Sequence, residues 1–385
     1  MIRKSFLRDI KLEQISIQEW DLPAIGTHQI GFGICPESGL VMQSPSPTPN
    51  QVNTYYKETA TYINPGRQGD PSTTKVKGLD RLINTTIDII GYVPKSVFQV
   101  GCSDGYTLKR FRDAGATSVT GIDPSVASHD IAKNLYNIDT IVSIIEDYED
   151  KTNKYNLIIL THVLEHLFNP VENLIKCNGL QNDGDWIIVE VPLFERNDCF
   201  PPGMLTLEHL NYFSEGTIIE TITKSGYEPL FSGKIFNHSE YPVITVIARK
   251  NNNFKIINCN DYIRANELLT AYVNKEKQSW KNTEKKIKDR VIRGSSAYIY
   301  GAGIHTSQLL AFTDLKQYLN ILGLLDSSPT KWEKKIGSLT CYKKNAVDFK
   351  ESDTIIISSF DSENEIYKSL TPLIQNGVKV IKLYD

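Results

Sequence analysis

The sequence lacks the features that would place it outside the ordinary globular proteins. Its six cysteines stand singly in 385 residues, with no C-x-x-C pair. This spacing argues against a disulfide framework and against a structural zinc site. No apolar run approaches the roughly 18 residues of a membrane span, and none of signal-peptide length follows the basic N-terminal residues. We therefore expect a cytoplasmic protein with no membrane partner.

An excess of charge of one sign is also missing. The chain has 42 Lys and Arg against 45 Asp and Glu, which gives a net charge of −3. No basic stripe stands out, so the composition does not favour a nucleic-acid surface. Hydrophobic residues make up 40% of the chain, which is ordinary for a protein that buries a core. The length predicts two or three domains. We expect a small-molecule substrate and a monomer or homodimer.

Hydrophobic patterning divides the chain into four segments. In residues 1–73, two short alternating runs at 28–33 and 39–43 predict a β-hairpin, and a segment rich in tyrosine follows them. Strands alternate with helices in residues 74–250, which predicts a parallel sheet with right-handed crossovers. Residues 251–295 read as a linker and one long polar helix, expected to act as a spacer packed along a domain. The alternation returns in residues 296–385, so we predict an α/β protein with a small N-terminal β unit and two Rossmann-like domains. The tyrosines of the first segment are Tyr55, Tyr56 and Tyr62.

A glycine-rich turn opens the first α/β segment. Gly101, Cys102 and Gly105 lie between a predicted strand and a predicted helix. Glycine allows the sharp turn and the close approach of a ligand, and the helix N-terminus attracts a carboxylate or phosphate. Asp123, followed by Pro124, ends the next strand and can accept hydrogen bonds from both ribose hydroxyls. The spacing is not the dinucleotide G-x-G-x-x-G. A plain tight turn and a solvated strand end are the alternatives.

Two stretches carry a family resemblance. "QVGCSDGYTLKRFRDAGATSVTGIDPS" and "LIILTHVLEHLFNP" resemble the class I S-adenosylmethionine-dependent methyltransferases, and the resemblance covers residues 90–250. It implies S-adenosylmethionine as cofactor, on the glycine turn and Asp123, with Thr161 and His162 lining the pocket. A side chain after the third strand usually meets the adenine in such proteins. Glu146 and Asp147 are the candidates, unless they form only an exposed acidic loop.

The plan of the chain resembles one branch of that family more closely. Sugar C-methyltransferases of nucleotide-deoxysugar pathways have a zinc-binding N-terminal unit, a methyltransferase core and a C-terminal Rossmann-like unit. Their C-x-x-C-G-L motif falls here on Cys35, but Ser38 replaces the second cysteine. We infer that the zinc site has been lost and the hairpin kept.

The segment "LEHLNYFS" resembles the acceptor-site motif of those enzymes. In those enzymes a tyrosine and a histidine near this motif act in removing a proton from the acceptor, so the resemblance implies this role for His209, with Glu208 orienting it or touching substrate hydroxyls. Thr206 stands where that family has a tyrosine, which leaves open whether carbon, oxygen or nitrogen is methylated. An imidazole titrates near neutral pH, so His209 is the candidate general base, with Glu208 beside it. A purely structural hydrogen bond is the alternative role of His209. Three further side chains are expected on the substrate side of the pocket: Glu195, Arg196 and Tyr212.

No metal is expected at this site. Methyl transfer is an in-line displacement at a sulfonium, in which holding donor and acceptor in line supplies much of the rate. His162 and His166 lie one helical turn apart, but the sequence shows no third ligand in register with them.

Three functions compete for the whole chain. The first is methyl transfer to a nucleotide-linked sugar or glycan precursor. The second is an NAD-linked oxidoreductase that uses the glycine turn at Gly301 and the strand-end Asp326, although Thr306 occupies the third glycine position. The same C-terminal unit reads equally as a docking, nucleotide-binding or purely structural module. The third is a binding protein that kept the fold and lost the chemistry, as Thr206 and Ser38 allow.

Overall fold

The structure is a computed structural model that describes residues 1–59, 71–150, 152–200, 203–236, 241–251, 253–360 and 362–384; Tyr62 lies outside them. The strands are β1 (Glu13–Leu22), β2 (Gly26–Ile34), β3 (Val41–Gln43), β4 (Ser96–Val100), β5 (Ser118–Asp123), β6 (Thr140–Val142), β7 (Leu157–Thr161), β8 (Trp186–Pro192), β9 (Asn211–Tyr212), β10 (Tyr227–Ile235), β11 (Val243–Lys250), β12 (Ser296–Tyr300), β13 (Asn320–Asp326), β14 (Lys335–Ile336), β15 (Leu339–Lys343), β16 (Thr354–Ile357) and β17 (Lys379–Ile381). The helices are α1 (Pro49–Thr59), α2 (Thr73–Ile90), α3 (Tyr106–Asp113), α4 (Val126–Tyr136), α5 (Pro170–Gly179), α6 (Glu215–Lys224), α7 (Tyr262–Lys288), α8 (Ile304–Phe312), α9 (Leu315–Tyr318), α10 (Glu363–Ser369) and α11 (Thr371–Gln375).

These strands form three sheets, and the predicted α/β class is confirmed. The N-terminal sheet has the order β1-β2-β3-β9, and the central sheet has the order β10-β11-β8-β7-β4-β5-β6. The C-terminal sheet has the order β14-β15-β13-β12-β16-β17. Pairing is parallel from β6 to β8 in the central sheet and antiparallel for β11 and β10. The predicted domain boundaries remain predictions, and β9 joins the N-terminal sheet from inside the middle segment.

The central sheet is covered on both faces, which explains its apolar strands. In β7, Leu157 and Ile159 pack into one core, whereas Ile158 and Leu160 pack into the core on the opposite face. All four side chains are fully buried. A parallel strand between two helical layers must be apolar at every position.

Two long strands escape prediction from the sequence, each for a physical reason. In β1 the register shifts between Gln14 and Ser16, which breaks the alternation of apolar residues expected of a strand. In β10, Pro229 and Gly233 interrupt the pattern, and the register shifts after Pro229. Proline and bulges are tolerated in β10 because it is an edge strand.

The N-terminal sheet pairs with and hydrogen-bonds to the segment that was predicted to form the acceptor site. Strand β9 pairs antiparallel with β3, with Val41 opposite Tyr212. The Gln43 side chain donates to the carbonyl of Thr206 at 2.8 Å, and its backbone N–H donates to the carbonyl of Leu210 at 2.9 Å. The β-hairpin expected at 28–43 is present as β2 and β3, and it positions residues 206–212.

Arg3, near the N-terminus of the chain, forms hydrogen bonds with the same segment. Its guanidinium is buried and donates to the carbonyls of Leu210 at 2.8 Å and Phe168 at 2.9 Å. It also donates to the Asn211 side chain at 3.0 Å and to the Gln43 carbonyl at 3.3 Å. A planar guanidinium has five N–H donors and can serve these four acceptors, whereas an ammonium has only three donors.

Helix α7 is the long polar helix expected between the two α/β segments, and it has two buried stretches. Leu269 and Val273 pack into the core shared with the N-terminal sheet, whereas Trp280 and Ile287 pack into the core of the C-terminal sheet. The helix therefore connects these two cores. In the described ranges no helix, α7 included, has both the length and the apolar character that crossing a membrane requires.

Replacing Arg3 with alanine should destabilise the protein. The change removes the Arg3 donor from the Phe168 carbonyl and from the Asn211 side-chain oxygen, so the free energy of unfolding should fall by about 1–3 kcal/mol. Arg3→Lys should recover only part of this loss. Urea denaturation measures the effect, with Arg264→Ala as the matched control because Arg264 makes an exposed ion pair. Equal losses in the Arg3 and Arg264 variants would contradict the role assigned to Arg3.

Candidate active site

The glycine turn lies at the carboxyl end of the central strand β4. Gly101 has a φ of 65° and Gly105 a φ of 73°, both in the left-handed region that favours glycine. A Cβ on Gly101 would come within 2.4 Å of Val163, so no larger residue fits there. Gly105 precedes α3 and makes no side-chain cap, the Tyr106 N–H donates to the Asp104 carboxylate at 3.1 Å, and the positive end of the helix favours an anion here. The Cys102 side chain is buried, so only its backbone belongs to the turn.

Asp123 ends β5 beside this turn, with Pro124 exposed after it. Its two carboxylate oxygens accept the backbone N–H groups of Ser103 and Ser125, each at 2.9 Å. Burial raises the pKa of the Asp123 carboxyl, while these two bonds hold it in place. Each carboxylate oxygen has a second acceptor position, so the group still fits the two ribose hydroxyls of an S-adenosyl cofactor.

The structure separates the two adenine candidates from Asp123. Glu146 and Asp147 are exposed, and the Glu146 carboxylate accepts from the Asn173 side chain in α5 at 3.0 Å. Ser143 lies closer, because its backbone N–H donates to the Asp123 carbonyl at 3.1 Å. Sequence reasoning missed Ser143, and its position directly after β6 is the only signal that marks it.

A second group of polar residues follows β7, the strand on the other side of β4. Thr161 ends the strand, and His162 has a φ of 54°. Glu165 lies in the 3-10 helix Leu164–His166 with 1% of its surface exposed. Its Oε1 atom is 3.6 Å from His162 Nδ1 and 3.8 Å from His166 Nε2. Burial opposes ionisation, but His162 and His166 hold the pKa of Glu165 near 2.

His209 reaches the same place from the segment between β8 and β9. Its ring centre is 4.9 Å from that of His166, and its side chain is buried. One ligand atom from each of Glu165, His166 and His209 lies within 4.8 Å of the others. Burial, together with the neighbouring His166, lowers the pKa of His209 to about 3. The imidazole is therefore neutral, but it is a weaker base than the near-neutral titration expected from the sequence. We call Glu165, His166 and His209 the Glu–His cluster.

Two tyrosines of α1 complete the surroundings of Glu208. The Tyr55 hydroxyl donates to the Glu208 carboxylate at 3.1 Å, and burial raises the pKa of that carboxyl. The Tyr56 hydroxyl lies 3.4 Å from His166 Nδ1, which is itself 2.9 Å from the Glu208 carbonyl. The tyrosine-rich composition of this segment was the only sequence signal for these contacts, and it gave no partner.

The three predicted substrate residues are engaged with other parts of the protein. Glu195 accepts from the backbone N–H of Glu215 at 3.2 Å and pairs with Lys234. Arg196 pairs with the exposed Asp198. The Tyr212 ring packs on His209 at 6.1 Å, but its hydroxyl donates to the Met204 carbonyl at 3.1 Å. The structure therefore does not bring their polar groups together at the Glu–His cluster.

The glycine turn of the C-terminal sheet resembles the first one, with one difference. The Asp326 carboxylate accepts the backbone N–H groups of Ala302 and Ser328, each at 2.9 Å. Lys331 adds its ammonium group at 3.0 Å, on a carboxylate that would bind the ribose in an NAD site. This contact disfavours the oxidoreductase alternative.

Comparison with known proteins agrees with this geometry. A methyltransferase domain family matches residues 77–230, and a family described as C2185-like, N-terminal matches residues 295–381. The tRNA U34 carboxymethyltransferase of Methylococcus capsulatus is 31% identical over 107 residues, 26% of this chain and 33% of that protein. The Cellvibrio japonicus protein of the same name is 26% identical over 144 residues, 34% of this chain and 45% of that protein. The chain thus spans less than half the length of either relative.

Solved structures with a related fold include two methyltransferases. The N-methyltransferase NodS of Bradyrhizobium japonicum has a TM-score of 0.39 and 12% identity, and the alignment covers 47% of this chain and 89% of that one. The magnesium protoporphyrin IX methyltransferase of Synechocystis has a TM-score of 0.42 and 16% identity, over 53% and 100% of the two chains. The domain match and the glycine turn with Asp123 establish that residues 77–230 are a class I methyltransferase domain, for which S-adenosylmethionine is the cofactor.

Proposed function

We propose that the protein methylates a small polar acceptor, with a nucleotide-linked sugar or glycan precursor as the preferred class. The observation that carries this proposal is the position of the Glu–His cluster. Val163 packs against Gly101 of the cofactor turn, and Glu165 and His166 lie two and three residues after Val163 in the chain. A neutral, buried imidazole, His209, thus lies next to the place where the methyl donor is expected.

The residues have complementary tasks in this proposal. S-adenosylmethionine supplies the methyl group, and the protein holds the acceptor in line with it. His209 is neutral and accepts the proton that a hydroxyl or acidic carbon must lose. Glu165 carries a negative charge beside it and stabilises the imidazolium that forms. Glu208, held by Tyr55, orients the acceptor, and the Tyr55 phenol provides the chemical group that Thr206 does not.

Nucleic acid is the second candidate acceptor because of the relatives' names. Those relatives are called tRNA U34 carboxymethyltransferases, and the one from Saccharophagus degradans aligns over 56% of this chain at 22% identity. The net charge of −3 argues against a polyanionic acceptor, because phosphate contacts dominate nucleic-acid affinity.

A methyl-transfer screen distinguishes the two classes. The purified full-length chain is incubated with S-adenosylmethionine and either nucleotide sugars or unmodified tRNA, and the products are analysed by mass spectrometry. The proposal expects a nucleotide sugar heavier by one CH₂ unit. Modification of tRNA alone would replace the sugar proposal, whereas cofactor binding without any turnover would favour a non-catalytic binding protein.

Asp123→Ala should weaken cofactor binding. The change removes the acceptor of the ribose hydroxyls, so S-adenosylhomocysteine should bind less tightly by about 1–3 kcal/mol in calorimetry. Asp130→Ala, which removes an exposed acid from α4, is the control and should bind normally. Equal affinities in the two variants would exclude Asp123 from the cofactor site.

His209→Ala should slow turnover by about 10²–10⁴, because a positioned base contributes roughly that factor. Affinity for S-adenosylhomocysteine should stay close to that of the wild type. His209→Asn should be no faster than His209→Ala if the role is proton transfer, and recovery in His209→Asn would mean positioning instead. His28→Ala, in the N-terminal hairpin, is the matched control. Wild-type rates in both His209 variants would indicate an amine acceptor that needs no base.

A further inference from the structure

A buried carboxylate without a hydrogen-bond donor calls for a cation. Neither oxygen of Glu165 has a hydrogen-bond partner among the described residues, and the same holds for Nδ1 of His162 and of His209. Polar groups at such depth are normally paired, and a lone buried charge is costly. These unpaired atoms belong to side chains that converge on one point, so the residues form a set of ligands rather than a packed core.

The distances within the group suit a metal better than hydrogen bonds. His162 Nδ1 and His166 Nε2 lie 3.6 Å and 3.8 Å from Glu165 Oε1, both beyond hydrogen-bond range. With zinc–ligand bonds of about 2.0–2.1 Å, neighbouring ligands of a tetrahedral site lie roughly 3.3–3.4 Å apart. Movements of a few tenths of an ångström would therefore bring Glu165 and His166 to coordinating positions, whereas His209, within 4.8 Å of both, would move by up to about 1.5 Å.

We propose that Glu165, His166 and His209 bind a divalent transition metal of the zinc class. Two imidazoles and one carboxylate are ligands that zinc and cobalt favour. Sequence spacing hides this set because His209 is 43 positions beyond His166. The fold brings the two together through the Leu210 N–H, which donates to the Glu165 carbonyl at 2.8 Å, and through the β3–β9 pairing. Three protein ligands leave a fourth position for water, a neighbouring side chain or the acceptor, which is the arrangement of exchangeable zinc sites.

Metal binding has a consequence for the proposed reaction. A neutral imidazole has one nitrogen lone pair, and His209 cannot give it to a metal and accept a proton with it at once. The metal-bound protein should therefore be inhibited. Metal binding itself is independent of the proposed function, whereas this inhibition rests on His209 acting as the base.

The test is titration of the chelator-treated full-length protein with Co²⁺ and then Zn²⁺, in the absence of cofactor and acceptor. Calorimetry should show one site, and bound Co²⁺ should show the strong visible absorption of a tetrahedral complex. His209→Ala and His166→Ala should each weaken binding by at least about 10-fold, since even indirect partners of a metal site contribute that much. His28→Ala, Cys35→Ser and Cys199→Ser, which changes the exposed thiol, should bind normally. Binding of S-adenosylhomocysteine verifies that each variant is folded.

Two results would overturn the metal site: no Co²⁺ binding by the wild type, or binding lost in a cysteine variant and kept in the His209 and His166 variants. Both would leave the methyl-transfer proposal standing. Once an acceptor is known, one equivalent of Zn²⁺ should suppress turnover and a chelator should restore it. Stimulation by Zn²⁺ would overturn both the inhibition and the base role of His209, with the metal site retained.

Discussion

The hydrogen bonds between the N-terminal sheet and residues 206–212 are the constraint on which the candidate active site depends. His209 belongs to a segment with little secondary structure of its own. This segment is held on one side by the pairing of β9 with β3 and by Gln43, which donates to the carbonyl of Thr206. On the other side, the Leu210 N–H donates to the Glu165 carbonyl at 2.8 Å. Arg3 closes the arrangement by binding Leu210 and Phe168. The N-terminal unit thus adds hydrogen bonds to the segment that carries His209 and helps to fix its position.

Electrostatics explain why this geometry must be held so firmly. Glu165 is almost fully buried, and the nearby imidazoles hold the pKa of its carboxyl low. The desolvation free energy of an isolated buried charge exceeds the free energy of unfolding of a typical domain. Among the described residues the imidazoles of His162 and His166 lie 3.6 Å and 3.8 Å from its Oε1 atom, and a ligand atom of His209 lies within 4.8 Å of one of its oxygens. Displacement of the 206–212 segment would remove His209 from this group. The buried charge of Glu165 would then be less well stabilised.

The sequence was sufficient for those features that are local. Gly101, Gly105 and Asp123 were identified because a turn, a helix start and a strand end follow each other within one βαβ unit. Glu165 was missed because a single Glu between two His residues has no spacing that marks it, and its burial depends on the fold. Tyr55 was missed as a partner of Glu208 because 153 residues separate them. Tyr212 was assigned to the substrate from its neighbours, but its hydroxyl turns back to Met204.

A double-mutant cycle tests the central claim, that the N-terminal sheet acts on catalysis by placing His209. Turnover is measured for Gln43→Ala, His209→Ala and the double variant with the same acceptor. The Gln43 side chain donates to the carbonyls of Thr206 and Leu207, and these are the bonds that Gln43→Ala removes. The account therefore predicts that Gln43→Ala slows the wild type but scarcely slows the protein that already lacks His209. Fully additive losses would contradict it.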